Sequence, residues 1–450
     1  MEHRNSKAKG FAFGLSLLGL CLAAGAPAMA AAATNEPEVQ AAGPDVTVFD
    51  LMDINNYGTS GGVRGYSIGT RSCNIGTQPL NWCDNGGGCG SGTTNRDHPV
   101  IAQNVYRLKD GRFQQIGASW LKHGFLSTNS NSSGCGTGGG CVQPPLGQNQ
   151  LGVGCTDPYE ASLNGSRPLG RRSEVNPATG AFPFPPGGGG STAAVWNQRA
   201  AVAETDLNPT LNTGATYYVE GHYIAPDDAA AGNGLNNAAY RRVTIGNAPS
   251  FNMTFAAATV REKSAIEVWP TVDPTVEMIN VDVPTAPIER YHVARKVTDL
   301  GGGNWHYEYA VHNMNSKRAA SSLAVTFGQA TVFTNVGFAD VNAHSNEPYD
   351  TTDWSSSTTG TTLTWATPFF TPAENANALR WATMYNFWFD ANRPPEEIAE
   401  HVLGLFEAGL PASMTFWETK QETPLFKDGF ETGDASQWSV QTAVGPRPAR

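Results

Sequence analysis

Short runs of β-branched and aromatic residues, broken by glycine, open the folded part of the chain. They are VTVFDLMDI from Val46, VRGYSIG from Val63, IAQNVYRLK from Ile101 and FQQIGASWL from Phe113. Runs of this kind predict strands, and Asp110-Gly111 between the last two predicts a hairpin turn. The pattern resumes at TYYVEGHYI and AYRRVTIG, which flank the loop APDDAAAGNGLNN. The clearest strand runs from Asn304 to Asn313, where Trp305, Tyr307, Tyr309 and Val311 alternate with His306, Glu308, Ala310 and His312. Such alternation predicts a half-buried antiparallel strand with an aromatic inner face and an exposed polar one. His306 and His312, about 20 Å apart along an extended strand, cannot share an ion. Further runs at SLAVTFG, TTLTWAT, LRWATMYNFWFD and ASMTFWET bring the pattern to that of a two-sheet sandwich. Only PPEEIAEHVLGLF is ambiguous: Pro395 and its two glutamates suit a helix start, whereas its place between strands suits a strand.

The expected fold is therefore all-β and mainly antiparallel, a Gly- and Cys-rich β domain over residues 45–250 followed by a β-sandwich-like domain over 255–420. The length of 450 residues calls for more than one core. From Gly124 to about Gly190 breakers such as STNSNSSG, QPPLGQNQ and FPFPPGGGG dominate, too long a stretch for an ordinary loop.

The first 30 residues read as a signal peptide: Arg4, Lys7 and Lys9 precede an apolar run from Phe11 to Ala24, and Ala28-Met29-Ala30 offers a cleavage site. Cys21 lacks the small preceding residue of a lipoprotein site, since Leu20 stands there. Residues 31–44 form a flexible leader, and no later segment is long and apolar enough for stable membrane insertion. The expected localisation is secreted or cell-envelope.

An exported chain with an even cysteine count implies disulfides, here among Cys73, Cys83, Cys89, Cys135, Cys141 and Cys155. Two segments echo each other, CDNGGGC from Cys83 and CGTGGGC from Cys135. Their glycines permit small closed loops, which favours 83 with 89, 135 with 141 and 73 with 155. A zinc site is the alternative, disfavoured by export and by the spacings.

Acidic residues outnumber basic ones, 40 to 29, and the chain carries a formal charge of −11. With no basic run anywhere, that balance argues against nucleic acid or an anionic membrane surface as partner. Zincin helices, P-loops and a dinucleotide fingerprint following a strand are missing from the sequence.

Two polar clusters remain as candidates. The denser spans Asp340, His344, Glu347, Asp350, Asp353 and Trp354, residues able to ligate a divalent cation or to bind sugar hydroxyls beside an aromatic ring. The alternative is a turn-forming loop. The second cluster, His98, His123, His222, Asp227 and Asp228 with Asp97, Lys122 and Glu220 nearby, suits acid–base or metal chemistry, or else structural histidines and turn carboxylates. The leading expectation is binding of an extracellular polymer such as polysaccharide. The alternatives are an extracellular hydrolase or lyase with its site in the first domain, and a structural envelope protein.

Two resemblances bear on origin. LFKDGFETGDASQWS, from Leu425 to Ser439 in the tail over 421–450, resembles the GFESGDxSxWS-type tail of Gram-negative secreted proteins. The stretches HPVIAQNVYRLKDGRFQQIGASWLKHGF, LGVGCTDPY, EGHYIAPDDAAAGN and NWHYEYAVHNMNS resemble a family of uncharacterised exported bacterial proteins. That likeness implies export from a bacterium and no particular reaction.

Overall fold

A computed structural model describes residues 42–83, 97–136, 139–187, 191–342 and 347–417. The expected signal peptide, most of the expected leader and the tail over 421–450 lie outside these residues. The chain first lays down β1 (Val46–Ser60), β2 (Val63–Asn74), β3 (Val100–Lys109), β4 (Arg112–Ala118), β5 (Cys155–Tyr159), β6 (Ala200–Ala203), β7 (Thr216–Ile224), β8 (Ala238–Ile245) and β9 (Met253–Phe255). With two-residue strands at Lys122–His123 and Ser130–Asn131 they make one 11-stranded sheet, in the order β9-β8-β7-β3-β4-β6-β2-β5, with β1 on β2. The sheet curls until the β1–β2 hairpin crosses β7. There only glycine fits, because a Cβ on Gly221 would meet Thr70 Cγ2 at 2.9 Å and Leu51 Cδ2 at 3.1 Å. Val48, Leu51, Ile68, Val105, Val219 and Tyr223 fill the space between.

The chain continues with β10 (Val276–Val283), β11 (Glu289–Gly301), β12 (Asn304–Asn313), β13 (Ala320–Phe327), β14 (Phe333–Ala339), β15 (Ser355–Thr358), β16 (Thr362–Ala366), β17 (Thr383–Ala391), β18 (Ile398–Leu405) and β19 (Ser413–Phe416). These form two five-stranded sheets, β10-β11-β12-β17-β14 and β15-β16-β13-β18-β19. All their ladders are antiparallel, as the alternating sequence patterns require. The ambiguous PPEEIAEHVLGLF is a short 3-10 turn at Pro395–Glu397 followed by strand β18, in which His401, Leu403 and Leu405 alternate inward.

The two five-stranded sheets pack face to face through Tyr307, Tyr309, Val311, Phe387 and Phe389 on one side and Leu323, Val325, Leu363 and Trp365 on the other. The opposite face of the same middle sheet, through Ala294, Ala310 and Met384, packs on Tyr106, Phe113, Tyr218 and Tyr240 of the large sheet. The protein is thus three-layered, and the middle sheet is covered on both sides. This corrects the expectation of an exposed polar face on β12: Glu308 and His312 are 4% and 1% exposed. That face is polar because it lies in an interlayer seam, where Glu308 meets Arg112 and His312 stacks on His292.

The cysteines pair as Cys73–Cys135 and Cys141–Cys155. The expected pairs 135–141 and 73–155 are therefore wrong. Strand alternation supplies the reason. Cys73 stands opposite Thr156 in the β2–β5 ladder, so the neighbouring Cys155 points to the other face and cannot reach it. Cys83 is disulfide-bonded, and Cys89 lies outside the described residues. Disulfides persist in oxidising compartments, which agrees with life outside the cytoplasm. No helix among the described residues is long and apolar enough to cross a membrane.

Candidate functional site

The 340–354 segment does not gather its carboxylates. Asp340 accepts a 2.6 Å hydrogen bond from Asn377 Nδ2, and burial raises its pKa. Glu347 accepts the backbone N–H of Arg172 at 2.7 Å and is likewise raised by burial. Asp350 turns outward and forms a local turn, accepting from Thr352 N at 2.9 Å and Oγ1 at 2.8 Å, which together lower its pKa. Asp353 is exposed. Trp354 is only 4% exposed: its ring stacks on Phe338 at 5.7 Å and its indole N–H donates to the Asn377 carbonyl. It is a core residue, with no open face to offer a sugar. His344 lies outside the described residues. Among the described residues no group of three His, Cys, Asp or Glu side chains is placed to hold a metal ion.

The second cluster separates as well. His98 Nε2 and His123 Nδ1 lie 2.9 Å apart, and both rings pack on Phe182 and Phe184. Burial, followed by the His98 ring, drives the His123 pKa down to about 3. His222 shares a sheet face with His123, but β3 runs between them: His123 lies opposite Val100 on one side, His222 opposite Ala102 on the other. His222 is fully buried against Trp381, and burial with the nearby Arg172 charge holds it neutral, with a pKa of about 3. Asp227 accepts Asn81 N–H at 2.7 Å, and its pKa rises to about 6 through burial. Asp228, fully buried and raised to about 8 by desolvation, accepts Val46 N–H at 2.9 Å and Asn237 Nδ2 at 2.8 Å, so it anchors the start of β1. Glu220 accepts Asn104 Nδ2, the Tyr106 hydroxyl and Ala265 N–H inside the seam.

Behind these residues lies the centre of the seam. Arg172 is buried, donating to the carbonyls of Ser119 at 2.6 Å, Ala382 at 2.9 Å and Gln103 at 3.1 Å, and to Asn104 Oδ1 at 2.8 Å. Beside it His292 and His312 stack at 5.7 Å, and His222 and His312 have no hydrogen-bond partner on either ring nitrogen. The seam is closed, and it holds the layers in place.

The open, polar concavity lies elsewhere, along the β3–β4 hairpin that Asp110-Gly111 turns. On one side a depression of about 320 Å³ is lined by Arg107, Lys109, Arg112, Gln114, His306 and Glu308. On the other, one of about 420 Å³ is lined by Thr216, Tyr218, Arg242, Asp273 and Lys296. Lys109 and Asp110 border both, and with Gly111 packed against Lys296 the hairpin tip stands between the two as the divide of an interrupted groove. Strand geometry makes the floor of the first depression: Arg107 pairs with Gln114 and Lys109 with Arg112, which puts all four side chains on one hairpin face.

These cations are held in position. Arg112 donates to both Glu308 oxygens, at 2.6 and 2.8 Å, and its guanidinium sits 3.6 Å from the Trp388 ring centroid. Arg107 donates to Asp206 Oδ1 at 2.9 Å, Asn212 Oδ1 at 2.7 Å and Gln114 Oε1 at 3.2 Å. Lys296 meets Asp273 at 2.6 Å. His306 lies between Glu308 at 3.5 Å and Asp390 at 2.6 Å, and bonding to those carboxylates raises its pKa. From sequence only the adjacent strand pair His306 and Glu308 could have shared an ion, and an exposed strand face was the expected reading; the other groups come from several strands, a short helix and loops. The one legible signal was a pair of basic residues two apart, Arg107 and Lys109, running into a hairpin turn.

No family model and no curated protein matches the chain. Among solved structures, the collagen-binding domain of Erysipelothrix rhusiopathiae surface protein RspB aligns over 45% of this chain and 69% of its own, at 8% identity and a TM-score of 0.17. The N-terminal domain of the Streptococcus gordonii adhesin Sgo0707 aligns over 84% of this chain and 97% of its own, at 9% identity and a TM-score of 0.18.

Proposed function

We propose that this is an exported protein that binds an extracellular polymer, a polysaccharide, in the groove across the β3–β4 hairpin. The observation that carries the reading is the groove itself: two open depressions flanking the hairpin tip, walled by hydrogen-bond donors whose long side chains are already fixed by neighbours. A chain-like ligand fits an open trough better than a closed pocket does, and donors fixed beforehand lose little entropy on binding. Export is supported by the basic, apolar and small-residue order of the first 30 residues and by the disulfides. The histidines and carboxylates expected to serve a hydrolase or lyase in the first domain are occupied with packing and backbone anchoring.

The test is a polysaccharide array with the mature protein and Thr216→Trp. Thr216 lines the groove on β7, a strand position that accepts an aromatic, so the substitution fills the trough without altering charge. Binding by the wild type and a fall of tenfold or more in the variant are expected. A wild type that binds nothing, or a variant that binds equally well, refutes the proposal.

A further inference from the structure

We infer that the polymer this groove takes is anionic, a polysaccharide carrying carboxylate or sulfate groups; the inference rests on the groove reading above. The chain as a whole is acidic, with a formal charge of −11, yet the groove lining reverses that sign. Arg107, Lys109, Arg112, Arg242 and Lys296 face Asp110, Glu308 and Asp273 across its two depressions, with Asp206 paired to Arg107 and Asp390 to His306 just behind the lining. His306 adds to the positive side, since its two carboxylate neighbours favour the protonated ring.

Donors remain after the internal pairings. Arg242 is exposed, and its guanidinium forms no hydrogen bond with the described residues. Lys109 gives one N–H to the Leu211 carbonyl at 2.9 Å, and Lys296 one to Asp273, which leaves each ammonium with donors to spare. Lys109 forms a wall of both depressions, so an anionic polymer laid across the hairpin tip meets it from either half. A concave site lined by several cations strengthens such contacts relative to an isolated surface charge, which a Debye length of about 8 Å at physiological salt screens. A neutral glycan would gain none of this. The overall acidic composition thus conceals a local exception built by cross-strand register.

The experiment compares binding of polygalacturonate, dextran sulfate and neutral dextran to the mature protein, to Lys109→Glu/Arg242→Glu and to Arg242→Ala, with melting temperature recorded for each. Expected is binding to one or both charged polymers and not to neutral dextran, weakened at least tenfold between 50 and 500 mM salt. The double variant should lose it, and the single variant should weaken it severalfold, with melting temperatures near that of the wild type. The two charged arms tell carboxylate from sulfate recognition. Equal binding to neutral dextran, or charged-polymer binding untouched by both variants, overturns the inference while leaving polysaccharide binding intact. No binding to any of the three polymers overturns both.

Discussion

His222 offers a quantitative test of the seam. It is fully buried, both ring nitrogens lack partners, and its folded pKa is about 3 against an unfolded value of about 6.5. The unfolded chain therefore takes up a proton as pH falls through 6.5, while the folded protein does so only near 3. Acid drains stability throughout that window. At pH 5 the drain from this one residue is about 2 kcal/mol, from 1.36 kcal/mol for each of about 1.5 pH units. A bare stability curve would hide it, because Asp157, Asp227 and Asp228, raised by burial to about 7, 6 and 8, act in the opposite sense. Protonating them in the fold adds stability as pH falls. The comparison to make is wild type against His222→Phe, by urea denaturation followed through tryptophan fluorescence at pH 8, 6.5 and 5. Phenylalanine keeps the ring against Trp381 and cannot titrate. The variant should gain about 2 kcal/mol on the wild type between pH 8 and pH 5. A difference that stays constant across that range to within about 0.5 kcal/mol would mean that His222 reaches solvent in the folded state, and the closed seam would be wrong.

Two further outcomes follow from the same geometry. Arg172→Ala strips the donors from buried carbonyls in two layers and should cost about 3–5 kcal/mol of unfolding free energy; a loss under about 1 kcal/mol would show that the arginine does not tie them. Replacing Cys73 and Cys135 by serine opens a closure of 62 residues, and replacing Cys141 and Cys155 one of 14, so chain entropy gives losses of roughly 4 and 3 kcal/mol. Non-reducing peptide mapping that links Cys135 to Cys141 would contradict the connectivity outright.

The strand content was legible because alternation survives at the level of single residues: β7 and β12 run essentially as their patterns read. The layering was not. A polar stripe on β12 has the same composition whether it faces water or an interlayer seam, and only the partners on β7, Arg172 and the β3–β4 hairpin decide which. Disulfide pairing failed for a related reason. Repeated CxxxxxC loops look self-sufficient in sequence, whereas the β2–β5 register sends Cys73 and Cys155 to opposite faces. In the 340–354 segment, density of carboxylates masked diversity of role: Glu347 braces Arg172, Asp350 folds a turn, and Trp354 belongs to the core. The groove was invisible because His306, Arg242 and Lys296 join Lys109 only through tertiary packing.

The mixed character of the seam also bears on how such a chain is made. The large sheet closes its own core around Val48, Leu51 and Val219, and the following two sheets close theirs around Tyr309 and Phe387, each from one continuous stretch of polypeptide. A chain emerging N-terminus first can complete the first of these before the second exists. Until its cover arrives, the waiting face presents Asn104, Glu220 and His222 among its tyrosines, a surface that water wets and that neighbouring unfinished chains have little reason to stick to.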